Sequence, residues 1–242
     1  MFSRKLTRSI VVGAAAIAVA GGSYGIVSAT SSGGSTAAAS TTPAASSSSP
    51  ADSSGPGGGG SNARSGPAAG GSSGTVGSVS TSGFTMTTSA GQKVTVNEAS
   101  ATTYQKGTSP ASASAITTGE PVLVLGTTSS TTITATQVVV QPAGSEGSAA
   151  SSAAGVIPFQ RGAAPTSKQV GQIPASYTQG SGTIVSGTTA NKATEAALAA
   201  YPGGVVDRVV QLSDGEYEVH YIGVNWPHHI FVNADFTVVG AN

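Results

Sequence analysis

Gly70-Gly71-Ser72-Ser73-Gly74-Thr75-Val76-Gly77-Ser78-Val79 is the stretch on which the fold assignment turns, because the composition changes inside it. From Thr30 to Gly74 the chain is almost wholly Ser, Thr, Ala, Gly and Pro, with Asp52 and Arg64 as its charges. A segment so poor in apolar side chains cannot offset the entropy of ordering, so residues 30–74 are expected to form a disordered tether. A Gly-rich coil of that length reaches roughly 35–40 Å, enough to carry a module into a cell-wall layer. From Thr75 the pattern alternates, and Thr75 to Val79 reads as a first strand.

Working outward, Phe84-Thr85-Met86-Thr87-Thr88 and Lys93-Val94-Thr95-Val96-Asn97 alternate apolar and polar, and Ser89-Ala90-Gly91-Gln92 turns the chain between them. A short strand is expected at Thr102 to Lys106. Pro121-Val122-Leu123-Val124-Leu125-Gly126 is continuously apolar, as for a strand covered on both faces. Ile133 to Val140 follows a Ser/Thr turn. This spacing predicts a small closed all-β domain over 75–142. Residues 143–186 return to polar low complexity and read as a linker. Its two apolar clusters, Val156-Ile157-Pro158-Phe159 and Gln172-Ile173-Pro174, are expected to lie loosely on a neighbouring domain.

The pattern carried by Val76 to Val79, Phe84 and Met86, Gly91 to Val96, Gly119 to Gly126 and Ala135 to Val140 resembles an OB-like domain of unknown function from exported, actinobacterial-type envelope proteins. The resemblance implies a small barrel and an extracytoplasmic location, and no activity. OB-folds bind oligonucleotides or oligosaccharides through aromatic and basic side chains. Here the bases are Lys93 and Lys106 and the aromatics Phe84 and Tyr104, with Phe84 expected in the core by its alternation with Met86. Equal counts of ten basic and ten acidic residues also argue against a nucleic-acid partner, which needs clustered Lys and Arg.

Residues 187–242 have a globular composition and hold His220, His228, His229 and the single tryptophan, Trp226. Ala190, Ala193, Ala197, Leu198 and Tyr201 recur at helical spacing, with Thr188 or Thr189 as the expected cap and Pro202-Gly203-Gly204 as the stop. Val205 to Val210 reads as a strand, Asp214-Gly215 as a hairpin turn, and Asn225-Trp226-Pro227-His228 as a second turn. Between the turns, Tyr217, Val219 and Tyr221 share one strand face and Glu216, Glu218 and His220 the other. This order is similar to a PepSY-type module. That resemblance implies a small exported α+β domain, one helix packed on three or four antiparallel strands, with inhibitory or binding roles. With no protease domain after Asn242, a freestanding binder is expected rather than a propeptide acting in cis. Six acids against Lys192 and Arg208 leave this region at −4, which disfavours anionic lipid surfaces.

Arg4, Lys5 and Arg8, an apolar run from Ile10 to Ala20 and a small-residue end at Val27-Ser28-Ala29 form the order of a secretory signal, with cleavage expected between Ala29 and Thr30. Residues 9–29 are also just long enough to span a bilayer as an uncleaved anchor. In both readings the N-terminal segment engages the membrane during export and the remainder is extracytoplasmic. The expected fold is thus two small domains with about half the chain disordered. Of its 242 residues 8% are charged and none is cysteine, which excludes disulfides, thiolate metal sites, a Cys nucleophile and a lipid-modified N-terminal Cys.

Three sites are open. Tyr221, Trp226 and His228 form a candidate partner-contact patch at a hairpin tip, for an envelope protein or cell-wall glycan. His220 with Glu216 or Glu218, joined by His228 or His229, has the ligand chemistry of zinc or copper but no tight motif such as H-E-x-x-H. Ser-His-Asp catalysis lacks a nucleophile-elbow motif. The sequence therefore favours a non-enzymatic, cofactor-free, tethered binding protein, with metal binding or protease inhibition by residues 187–242 as the alternative.

Overall fold

The computed structural model describes residues 66–145 and 147–242. The expected signal or anchor, the Ala29–Thr30 cleavage and the tether as far as residue 65 lie outside the described residues.

The strands in the first half are β1 (Ala68–Ser80), β2 (Gly83–Thr87), β3 (Lys93–Lys106), β4 (Ser109–Ala111), β5 (Pro121–Ser129) and β6 (Thr132–Val140). A short helix α1 (Ser148–Ala153) precedes three two-residue strands, β7 (Ile157–Pro158), β8 (Val170–Gly171) and β9 (Thr183–Ile184). Then come α2 (Gly187–Ala200), β10 (Val205–Gln211), β11 (Tyr217–Ile222), β12 (Val224–Trp226), β13 (His229–Val232) and β14 (Val238–Ala241). Among the described residues, no helix is long and apolar enough to cross a membrane.

Twelve of these strands form one mixed sheet in the order β2-β3-β6-β5-β1-β10-β11-β13-β14-β8, with β4 on β3 and β9 on β10. The pair β3–β6 is parallel. Because β2 also pairs with β1, the strands β1, β2, β3, β6 and β5 close a ring of hydrogen-bonded neighbours. The expectation of an OB-like barrel followed by a separate α+β domain is overturned, since a single sheet runs through both regions. Each apolar cluster also borrows from the other side. Leu123 and Leu125 of β5 pack with α2 and β10–β14, while Val205 of β10 packs with Val76, Val122 and Ile133.

The junction is the N-terminal half of β1, so the tether expected over 30–74 is corrected at its C-terminal end. Ala68 to Thr75 pairs along β5, and on the opposite edge Gly71 faces Val206 and Ser72 faces Val205. Glycine is required here by close approach. A β-carbon on Gly70 would run into the carbonyl oxygen of Val206, and one on Gly71 into that of Val124. Ser72 is fully buried and its Oγ donates to the Gly204 carbonyl at 2.9 Å. Small side chains that signal disorder by composition are the ones that let three backbones meet.

Helix α2 lies where the alanine spacing places it, and buries Ala190, Ala193, Thr194, Ala197 and Leu198. Ser186, not Thr188 or Thr189, holds the cap position, with no side-chain capping bond. The helix covers the sheet face that carries Tyr217, Val219 and Tyr221. The expected linker is a second cover. Its segments pair as β7 with β12, β8 with β14 and β9 with β10. Tyr177 from the same stretch sets its ring against Phe231, 4.8 Å between centres, on the sheet face opposite the helix.

Candidate histidine cleft

The site grows from strand register. His220 on β11 stands directly opposite His229 on β13, and across the other edge of β11 it faces Arg208 on β10. Cross-strand partners project from the same face, so the two imidazoles are neighbours, 5.1 Å between ring centres and inclined at 65°. The ladder between β10 and β11 shifts between Val206 and Arg208, leaving Asp207 as an extra residue. Such a bulge re-aims a side chain, and here Asp207 reaches His220 with Nδ1 and Oδ1 2.5 Å apart. On β11, Glu218 shares the His220 face and lies diagonal to His229, whose Nδ1 is 2.6 Å from Oε1.

An ionised carboxylate only accepts hydrogen bonds, so both rings donate through Nδ1–H and each neutral imidazole keeps its lone pair at Nε2. Glu218 is 1% exposed, and its second oxygen, Oε2, has no hydrogen-bond partner among the described residues. Asp207 is also engaged by Arg208 Nη1 at 3.2 Å. Tyr177 stacks at a tilt on His229, 5.6 Å between centres. Partial burial, and next the Glu218 charge, push its phenol up to about 12, while Arg208 acts the other way.

The three histidines open on one cleft of about 520 Å3, whose other walls are Thr166, Ser167, Lys168, Gln169, Gln179 and Asn242. His228 sits at the exposed rim. Partial burial holds its imidazole below the ordinary value, against a raising hydrogen bond to the Tyr221 backbone, and nearby His229 and His220 lower it further. Lys168 is drawn to the wall, with Nζ 4.0 Å from the centre of the Trp226 ring.

The expected contact patch does not assemble as a surface. Tyr221 is 0% exposed and Trp226 1%, both inside the core under α2, whereas His228 reaches solvent. The Trp226 indole donates to the Lys168 carbonyl at 2.7 Å and meets Tyr201 edge-on. Of the expected metal-type residues, His220, Glu218 and His229 come together. Glu216 instead lines a separate small cleft with Asp214. Among the described residues no three His, Asp or Glu side chains already converge on one point that could hold an ion. Sequence reasoning missed Asp207, whose role depends on a bulge, and the 166–169 and 179 walls, which lie in the supposed linker.

No family model, curated protein or solved structure matches this chain.

Proposed function

We propose that this chain is a non-enzymatic, extracytoplasmic binding protein of the cell envelope that takes a polar ligand, a wall-glycan fragment, in the histidine cleft. The observation that carries the reading is the bracing of His220 and His229, each fixed at Nδ1 by a carboxylate so that its remaining nitrogen is available. Orienting a ring in advance lowers the entropy lost on binding. Hydroxyl, amide and imidazole groups dominate the lining, which suits a hydroxyl-rich ligand better than an apolar one. The basic, apolar and small-residue order at the N-terminus supports export.

Titration of the purified chain with soluble peptidoglycan fragments, followed by the histidine ring proton resonances, tests this. A saturable shift of the His220 and His229 signals, lost in the His220→Ala/His229→Ala double variant, is expected. Fragments that leave both signals unmoved at millimolar concentration would contradict it. Ester hydrolysis abolished by His220→Ala in a folded chain would overturn the non-enzymatic part, because Asp207–His220 opens on the same cleft as Ser167.

A further inference from the structure

We infer that His220 and His229 bind one divalent transition-metal ion, zinc(II) or copper(II), through their Nε2 atoms, with the cleft supplying open positions for water or a ligand oxygen. The inference rests on the reading of this cleft as the ligand site and names its inorganic component.

Metal-ligating histidines characteristically give their second ring nitrogen to a carboxylate or carbonyl, which fixes the tautomer and raises the basicity of the ligating nitrogen. Both rings here have that arrangement, through Asp207 and Glu218. Their spacing also fits. Two imidazoles bonded at 2.0–2.1 Å to one tetrahedral ion hold their ring centres roughly 5 Å apart, and the observed separation is 5.1 Å.

Charge provides a third argument. The two rings are backed by two acidic side chains, Asp207 and Glu218, against Arg208, which pairs with Asp207. Glu218 is almost completely buried, with Oε2 unpartnered among the described residues, an arrangement that a nearby positive charge would relieve. Lys168 lines the same cleft and is held over Trp226. A divalent ion bonded to His229 would complete a line carboxylate–imidazole–cation outward from the buried acid. Imidazole ligands favour zinc and copper over calcium or magnesium, which take oxygen.

Isothermal titration of the metal-free full chain with zinc(II), and separately with copper(II), calcium and magnesium as chloride salts, tests this. One-to-one binding of zinc or copper tighter than about 10 µM is expected, with neither calcium nor magnesium binding at the site. Affinity should fall at least tenfold in His220→Ala and in His229→Ala, and about tenfold in Asp207→Asn, which leaves both rings in place. Electron paramagnetic resonance of the copper form should show nitrogen couplings from at least two imidazoles, falling by one in His229→Gln. Folding of each variant is checked by emission from Trp226.

Absence of zinc and copper binding, or binding unaltered in His220→Ala/His229→Ala, would overturn the inference. If zinc and copper fail to bind while peptidoglycan fragments still shift the histidine signals, the metal falls and the cleft reading stands. If neither ion nor fragment binds, both fall.

Discussion

Gly71 of β1 lies between Leu125 of β5 and Val206 of β10 as the register partner of both. With a β-carbon at this point excluded by the Val124 carbonyl, the two halves of the sheet can join only where the side chain is a hydrogen. Gly71→Val should lower stability by about 3 kcal/mol or more, since the obstacle is the β5 backbone at Val124 and Leu125. Gly66→Ala, where nothing lies within 4 Å of the added carbon, should change it by less than about 0.5 kcal/mol. Chemical denaturation of the two variants checks the contrast, and equal stability would show that β1 does not occupy the junction.

Trp226, the single tryptophan, is buried under α2 against Tyr201. Its emission should be blue-shifted and poorly quenched by iodide, and Trp226→Ala should cost about 3–5 kcal/mol. Red-shifted, freely quenched emission would return Trp226 to the surface patch expected from its turn-like sequence.

Glu218 contributes to the raised Tyr177 phenol. Glu218→Gln keeps the shape and removes the charge, so the Tyr177 transition in a titration at 295 nm should move down toward the ordinary value of 10.0. The same change should cost about 1–3 kcal/mol, because His229 loses a charged acceptor in a buried setting. A transition unchanged from wild type would separate Tyr177 from Glu218.

Tyr177 also sets a pH dependence. Its folded pKa, about 12, lies above the unfolded value of 10.0. Between these values the unfolded chain has lost the proton that the folded chain keeps, so stability falls as pH rises through that window and is unaffected by this group below it. Denaturation midpoints at intervals from pH 9 to about 12 should decline less steeply in Tyr177→Phe. Identical slopes would contradict the placement of the phenol.

How much of this was legible depends on how far each signal reaches along the chain. Val94 and Val96, Tyr217 and Val219, and the Ala190–Ala197 spacing state their own strand or helix, because the period is local. The joining of the halves at Gly70–Ser73 was not legible. In composition a glycine pressed between two backbones looks the same as a glycine in a flexible coil, and only the tertiary neighbour distinguishes them. Two-residue strands such as Val170–Gly171 contain too few residues for any alternation. At the cleft, the Glu218/His220 face could be read from strand period, but the His220–His229 pairing needs the β11–β13 register and the Asp207 contact needs the bulge. Trp226 was misplaced because the turn expected at Asn225–His228 is partly strand β12, whose partner β7 lies in the supposed linker.

The central claim is that both cleft imidazoles are held by carboxylates at Nδ1 and present Nε2 to the opening. Nitrogen-15 spectra of the histidine rings at about pH 8.5, where an ordinary imidazole is neutral, test it most directly. The account predicts that His220 and His229 both carry their proton on Nδ1, with Nε2 resonating as an unprotonated nitrogen, and that Asp207→Asn disturbs His220 alone. Rings protonated on Nε2 in the wild-type chain would contradict it.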